Sequence, residues 1–353
     1  MFKWCLKWCA VLSVYAGAAA AATTGPSFVA LDTDAYPSGI SGDGSIVVGT
    51  YYDRNHPTGG GGFYWTAETG TVPIGGNGAA GISADGTTIV GRANDATGLE
   101  NAAIWQGGTD WQALGSFTPD AQACDQSLSA AYSVSGDGSV IVGLGQDGCS
   151  SAHGFRWDAA TGMTDLGSIE ATRASRANAI SSDGSAIVGW SDQSTGFRQG
   201  ARWVDGAWQW LDSEYGPVGE ALAVNSDGSK IVGYNCGPLS QWAWYWTEDA
   251  GVQCVNGTVE NPYQTYMIAL SGDGRVIGGA VRPEFGPEVD AVLWLNFEPM
   301  DLKQYLLDRG VSEVQSWFFS WVTAVSADGS VVAGWGIGPD QLLHAFVVTL
   351  PQD

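Results

Sequence analysis

The chain has 353 residues, with 37 acidic against 14 basic side chains and a formal charge of −23. That balance excludes nucleic-acid phosphates and anionic lipid surfaces as general partners. Hydrophobic residues make up 44% and charged residues 14%, with 51 glycines, the composition of a turn-rich globular protein rather than a disordered one.

In chain order, Lys3 and Lys7 precede the apolar stretch "WCAVLSVYAGAAAAA", which ends in small residues. This is the pattern of a secretory leader over residues 1–22, leaving residues 23–353 as a single domain. Loss of both lysines leaves 14 − 2 = 12 basic side chains and a charge of 12 − 37 = −25. No later segment is apolar for long enough to span a bilayer, so no membrane insertion is expected after cleavage. The mature chain is expected to be monomeric and secreted or periplasmic.

Next comes an isolated strand-like segment, "FVALD" (Phe28 to Asp32), and then a repeat. "SGDGSIVVG", "SADGTTIVG", "SGDGSVIVG", "SSDGSAIVG", "NSDGSKIVG", "SGDGRVIGG" and "SADGSVVAG" carry Asp-Gly pairs beginning at Asp43, Asp85, Asp137, Asp183, Asp227, Asp273 and Asp328. A period of about 45 residues is that of a propeller blade. Each unit reads as four strands. Strand a ends before the Asp-Gly hairpin turn, where glycine supplies the positive φ. Strand b ("IVVG") is apolar without alternation and so buried on both faces. Strand c carries a Trp in six copies (Trp65, Trp105, Trp157, Trp203, Trp246, Trp294), expected to wedge the blades apart. Strand d is of the "MTDLG" type. The seventh copy lacks strand d, and Phe28 to Asp32 is shaped to supply it. The fold is therefore expected to be all-β, a seven-bladed β-propeller with four strands per blade, its last blade completed by the N-terminal strand.

The turn aspartates stand alone in their turns, with no accompanying ligands at fixed spacing, so they are read as scaffold and not as metal sites. Length variation falls between each Trp and the next Asp, the interval holding the d–a loop. Together with the b–c loops, this marks one face of the disc as the functional one. In "DLKQYLLDRG", Asp301 caps a helix that presents Leu302, Tyr305 and Leu306 on one side and ends at Gly310; it is expected to lie over that face.

Cys5 and Cys9 leave with the leader. Cys124 with Cys149 and Cys236 with Cys254 are expected as two local disulfides. Neither pair has metal-ligand spacing, and His153 is the only histidine near any of the four, so no metal or other cofactor is expected.

Written out as A-I-S-x-D-G-S-x-I-V-G, H-A-F-R-W and M-T-D-L-G, the repeat resembles the HAF repeats of bacterial extracellular proteins. The tripeptide is intact at His344-Ala345-Phe346 and nearly so at His153-Gly154-Phe155-Arg156-Trp157. The other copies place Gly61, Asn101, Gln199, Trp242 and Asp290 where the histidine would stand. The resemblance spans the mature chain. It implies an exported protein of Gram-negative type with no settled activity for the family. The chain ends at Asp353 with no barrel following, which implies a soluble form.

No G-x-S-x-G, H-E-x-x-H or P-loop pattern is present, and His56 lies in a glycine-rich b–c loop. The candidate ligand-binding residues gather at the mouth of the channel on the variable face. Tyr36, Arg176, Glu220, Tyr266 and Trp321 open strand a in their blades; Trp190 and Trp335, with Tyr51 and Tyr234, follow strand b. Rings with an Arg and a carboxylate suit recognition of a glycan or of a cell-surface or envelope protein. The favoured reading is a non-enzymatic binding propeller. The alternative is a carbohydrate-active enzyme on the same face: a hydrolase using Glu220 with Asp212 or Glu214, or a lyase using Tyr266 with Arg176.

Overall fold

A computed structural model of the chain describes residues 25–52, 60–117, 127–147, 151–255, 262–283 and 289–351. The leader, His56 and the Cys124–Cys149 pair lie outside the described residues. The rest is a seven-bladed β-propeller of seven four-stranded antiparallel sheets. Blade 1 consists of strand a Ala35–Ile40, b Val47–Tyr52, c Gly60–Thr66 and d Gly70–Gly75. The inner strands of blades 2 to 6 are Gly78–Ile82, Ser129–Val134, Ser175–Ile180, Ala221–Val224 and Pro262–Leu270. Blade 7 takes Phe318–Val325, Val331–Ile337 and Leu343–Thr349 from the C-terminal end, and its fourth strand, Ser27–Thr33, from the N-terminal end. Phe28 pairs with Val348 and packs edge-on against Trp317 and Phe319, so apolar burial as well as the ladder closes the ring.

Every letter of the S-x-D-G-S motif has a task in the a–b turn. In blade 4, Asp183 Oδ1 accepts from the Ser181 hydroxyl (2.6 Å), the Ser185 amide (2.9 Å) and the Ser185 hydroxyl (2.7 Å). Ser181 Oγ in turn accepts from the Ala186 amide at 2.9 Å. Gly184 takes φ 75°. In blade 5 Asn225 replaces the leading serine, its amide nitrogen donating to Asp227 and its oxygen accepting from Lys230 N. The x position is always Gly, Ala or Ser because the turns meet at a neck. Gly42 N donates to Ala84 O, Gly136 N to Ser182 O and Gly272 N to Ala327 O, at 2.8 to 2.9 Å. A Cβ on Gly136 would stand 2.0 Å from Ser182 Oγ.

The glycine six residues after each Asp answers a second constraint. Strand a carries a β-bulge in every blade, as between Ala177 and Ala179 or between Val322 and Ala324. The bulge drives a strand-a carbonyl against strand b. A Cβ on Gly189 would sit 1.9 Å from Arg176 O, and one on Gly334 1.9 Å from Trp321 O. In four blades an aromatic side chain on strand c is paired with the same glycine: Phe63, Phe155, Trp244 and Phe346, all fully buried.

These rings, two residues before the repeat's Trp position, are the most deeply buried wedges, and the repeat tryptophans Trp65, Trp105, Trp157 and Trp203 pack against the clusters between blades. Four of the six expected wedge tryptophans (Trp65, Trp105, Trp157, Trp203) are only half-buried, and Trp246 and Trp294 alone are buried. Clusters then bridge neighbouring blades, as where Val90, Ala102 and Ile104 meet Ala131, Ile141 and Phe155.

The helix forms as Leu302–Asp308, capped by Asp301 accepting from Gln304 N, with Leu302, Tyr305 and Leu306 buried. Its position differs from expectation. It packs beside Leu293, Leu295 and Val276, and Tyr305 and Arg309 share a cavity with Arg275, Asp328 and Gly329 of the a–b turns. It therefore lies low on the rim between blades 6 and 7. The helix follows directly on strand d of blade 6, Glu298–Asp301, and buries its apolar side in the core cluster shared by blades 6 and 7.

The Cys236–Cys254 disulfide is present, with a Cα–Cα distance of 5.6 Å. Cys236 is the last residue of strand b, not a loop residue, and Cys254 lies in strand d.

All seven turn carboxyls sit below the ordinary aspartate value. Asp137 is lowered to about 2 by the Ser135 hydroxyl and then by the Ser139 amide and hydroxyl. At Asp183, Asp273 and Asp328 burial pushes upward and the hydrogen bonds outweigh it. A folded value below the unfolded one means that the unfolded chain binds protons first. The stabilisation is complete above about pH 4 to 5 and is lost as pH falls towards 2. Urea midpoints measured from pH 6 down to pH 2 should fall over that window, and Asp137→Asn should flatten part of the fall.

Gly189→Ala should cost about 3 kcal/mol, the upper range for overpacking, because the obstacle is backbone. Equilibrium denaturation will measure it; a loss under about 0.5 kcal/mol, within the range of surface substitutions, would show that the bulge can relax.

Candidate functional site

The bulge that demands the strand-b glycine also sets the candidate site. The residue whose carbonyl abuts that glycine is in turn Tyr36, Gly78, Ala130, Arg176, Glu220, Tyr266 and Trp321. Its cross-strand partner follows the glycine on strand b: Tyr36 faces Thr50, Gly78 Arg92, Ala130 Leu144, Arg176 Trp190, Tyr266 Ala280 and Trp321 Trp335. Paired residues project to one side of a sheet, so both rows reach the mouth formed by the d–a and b–c loops.

Blades 4 and 5 build a charged cluster. Glu220, 5% exposed, accepts from Arg176 Nη2 at 2.6 Å and from Arg198 Nη1 at 2.7 Å. Asn178 fixes Arg176 by accepting from its Nε at 2.6 Å and anchors itself by donating to Ala221 O. Trp190 is 4% exposed and forms the floor, with the Arg198 guanidinium 4.3 Å and the Arg176 guanidinium 5.6 Å above its ring. Trp190 thus carries the two cations and offers no free face. Its Nε1 and Asp192 Oδ1 are buried without partners, and burial raises the Asp192 carboxyl above its usual range.

Blades 5, 6, 7 and 1 supply aromatic contacts. Tyr234 meets Tyr266 (5.7 Å between centroids) and Tyr266 meets Trp321 (5.2 Å). Trp335 meets Tyr36 (5.7 Å), and Tyr36 meets Tyr52 (5.4 Å). Tyr36, Tyr266, Trp321 and Trp335 are half-buried. Tyr51 instead packs into the core between blades 7 and 1.

A cavity of about 430 Å³ lies between blades 1 and 2 on this face. It is lined by Tyr52, Asn77, Arg92, Asn94, Glu100 and Ser127, among others. Its polar groups are already tied together. Asn77 Nδ2 donates to Asn94 Oδ1 (2.7 Å) and to Glu100 Oε2 (2.9 Å), while Ser127 Oγ and Arg92 Nη1 reach Glu100 Oε1 (3.0 and 3.4 Å). Asn77, Arg92, Asn94, Glu100 and Ser127 are polar residues from separate segments, and neither they nor Tyr52 stands among the residues expected at the mouth. The available signal was Arg92, which occupies the repeat position of Trp190, Tyr234 and Trp335.

Both oxygens of Glu220 are held by guanidiniums, and Asp212 accepts from Gln199 Nε2 at 2.9 Å. Tyr266 donates its hydroxyl to Gln264, and burial raises its pKa, the wrong direction for a base.

The fold defines a class, the closed seven-bladed propeller, and comparison with known proteins goes no further. No family model matches the chain, and no curated protein matches it. Among solved structures it is similar to the β-propeller domain of the Trilobed protease from Pyrococcus furiosus, described as having an open velcro topology. That likeness has 13% identity over 90% of this chain and 96% of that one, with a TM-score of 0.54. An acylaminoacyl peptidase from Pyrococcus horikoshii gives 11% identity, 86% and 49% coverage and a TM-score of 0.51. TolB from Acinetobacter baumannii gives 13% identity and a TM-score of 0.49, over 72% of this chain and 62% of that one. At these identities the likeness is one of fold.

Glu220→Gln leaves two guanidiniums against a neutral amide and should cost about 3 kcal/mol, as for breaking a buried pair. Arg198, half exposed, is the peripheral partner, and Arg198→Ala should cost under about 1 kcal/mol. Urea unfolding of both variants tests the ranking; equal losses would mean that Glu220 is not the hub.

Proposed function

We propose that this chain is an exported, non-enzymatic recognition propeller whose loop face binds a neutral glycan. The observation that carries the reading is the preorganised polar cavity between blades 1 and 2, joined through Tyr52 and Tyr36 to the aromatic side chains of the mouth. Its volume is at the small end for ligand sites, suited to one or two sugar residues. Amide, carboxylate and guanidinium groups fixed against one another can exchange bonds with vicinal hydroxyls without first being ordered. Exposed Tyr52 offers a flat face for a sugar ring to stack on. The acidic surface disfavours polyanionic glycans. Export is supported by the leader pattern, by the Cys236–Cys254 disulfide and by the HAF-type motifs, and the proposed setting is the periplasm or the cell exterior. Among the described residues, no helix is long and apolar enough to cross a membrane.

A second reading, an envelope-protein partner, is favoured by the exposed Phe197, Tyr215, Leu239 and Leu342, all in loops of the same face. An enzyme would have to work through Asp192, whose Oδ1 is buried without a partner among the described residues, because both oxygens of Glu220 are held by guanidiniums and burial raises the Tyr266 pKa.

The test is calorimetric titration of the oxidised protein with neutral glycans, with reducing and unsaturated ends followed in parallel. Binding without product is expected, and Tyr52→Ala and Asn94→Ala should each weaken it roughly tenfold or more at unchanged Tm. Product formation would replace the proposal with an enzyme. Capture of an envelope protein in the absence of any glycan binding would favour the second reading.

A further inference from the structure

One cluster outside the mouth is unexplained by the scaffold. In blade 3, strand b (Val140–Asp147) ends at Asp147, strand c (Ser151–Asp158) begins two residues before His153, and strand d (Gly162–Asp165) ends at Asp165. The register aligns them. Asp147 faces Ser151, Gly145 faces His153, and Phe155 faces Asp165, so the three side chains rise on one side of the sheet. One ring nitrogen of His153 and one carboxylate oxygen from each aspartate lie within 4.8 Å of one another.

The repeat itself provides a control. His344 occupies the same position in blade 7, and both of its nitrogens are partnered, Nδ1 with Leu31 O at 3.1 Å and Nε2 with the Asp340 carboxylate at 2.9 Å. His153 is 7% exposed, and its Nδ1 lies 3.0 Å from Asp165 Oδ2, but its Nε2 is buried with no partner. Nδ1, not Nε2, is the nitrogen that faces Asp165, so the Nε2 left without a partner among the described residues distinguishes the two histidines without marking a ligand position. The aspartates also differ from those of the turns. Asp147 and Asp165 are exposed, and Asp165 commits only Oδ1 to a local turn, accepting from Gly167 N at 2.7 Å.

We propose that Asp147, His153 and Asp165 bind a divalent transition-metal ion, of the zinc class, at the loop end of blade 3. One imidazole with two carboxylates is a nitrogen–oxygen donor set that suits zinc better than calcium or magnesium. Ligands on a tetrahedral ion with bonds of about 2.1 Å stand roughly 3.4 Å apart. The His153–Asp165 pair already has that spacing, and the exposed Asp147 side chain can close the remaining gap by rotation. The ion would staple the ends of strands b, c and d to one another. This goes beyond the expectation of no metal, which weighed His153 only against the cysteines.

The experiment uses the full mature chain with its disulfides intact, stripped with a chelator and titrated with zinc chloride. One equivalent should bind with micromolar affinity or tighter and raise Tm by several degrees. Asp147→Asn should weaken binding at least tenfold while leaving the metal-free Tm unchanged, and His153→Gln should abolish it. Cobalt substitution should give visible d–d bands without the near-ultraviolet charge-transfer band of a thiolate. No zinc binding, binding unchanged in Asp147→Asn, or a thiolate band would each overturn the assignment.

Discussion

The close approach of a bulged strand-a carbonyl to a strand-b glycine organises this molecule. With Arg176 O and Trp321 O each 1.9 Å from where a glycine Cβ would be, no other residue fits opposite the bulge without displacing backbone. The space so created takes an aromatic ring from strand c in four of the blades, and that ring is what the neighbouring blade packs against. The same geometry fixes which strand-a residue reaches the channel mouth. A packing rule repeated seven times thereby determines where seven variable side chains are presented.

Two faces of the disc consequently obey different rules. At the a–b neck, turns touch through backbone hydrogen bonds and small side chains, and there is little room for variation. At the mouth, each blade contributes two side chains and two loops over a frame that does not depend on their identity. Blades 4 and 5 spend these positions on an arginine–glutamate–arginine cluster, blades 6, 7 and 1 on aromatic rings, and blade 2 leaves its place to glycine. The exposed Phe197, Tyr215, Leu239 and Leu342 all lie in loops on this side.

This division explains what could be read from the residues alone. Blade number, ring closure by Phe28 to Asp32, the hairpin turns and the Cys236–Cys254 bridge all depend on local chemistry that recurs at fixed spacing. The repeat tryptophans pack between blades as expected, but the deepest burial falls two positions earlier, where proximity to the glycine and not residue size sets it. The helix was recognisable from Asp301 and Gly310, but its resting place depended on apolar partners such as Leu293, Val276 and Val314 that only the folded blades 6 and 7 bring together. The polar cavity draws Asn77, Arg92, Glu100 and Ser127 from distant segments of the chain, and Asp147, His153 and Asp165 meet only through strand register. No pattern along the chain brings such residues together before the strands are paired.

The arrangement of charge at the mouth bears on binding against catalysis. A catalytic carboxylate must exchange a proton or attack, and so needs an oxygen not already committed. Glu220 has both oxygens committed to cations, and Arg176 is held further by Asn178 and by the rings of Trp190 and Tyr132. Such a network stiffens the mouth and fixes donors in place, while Asp192 Oδ1 beside it stays without a partner among the described residues. Glu100 is likewise enmeshed, but with neutral amides, a hydroxyl and one longer contact to Arg92, bonds that a ligand hydroxyl can replace one for one. The strongest ionic contacts therefore lie at the mouth of blades 4 and 5 and the more exchangeable ones in the cavity between blades 1 and 2, a distribution that gives rigidity to the first and adaptability to the second.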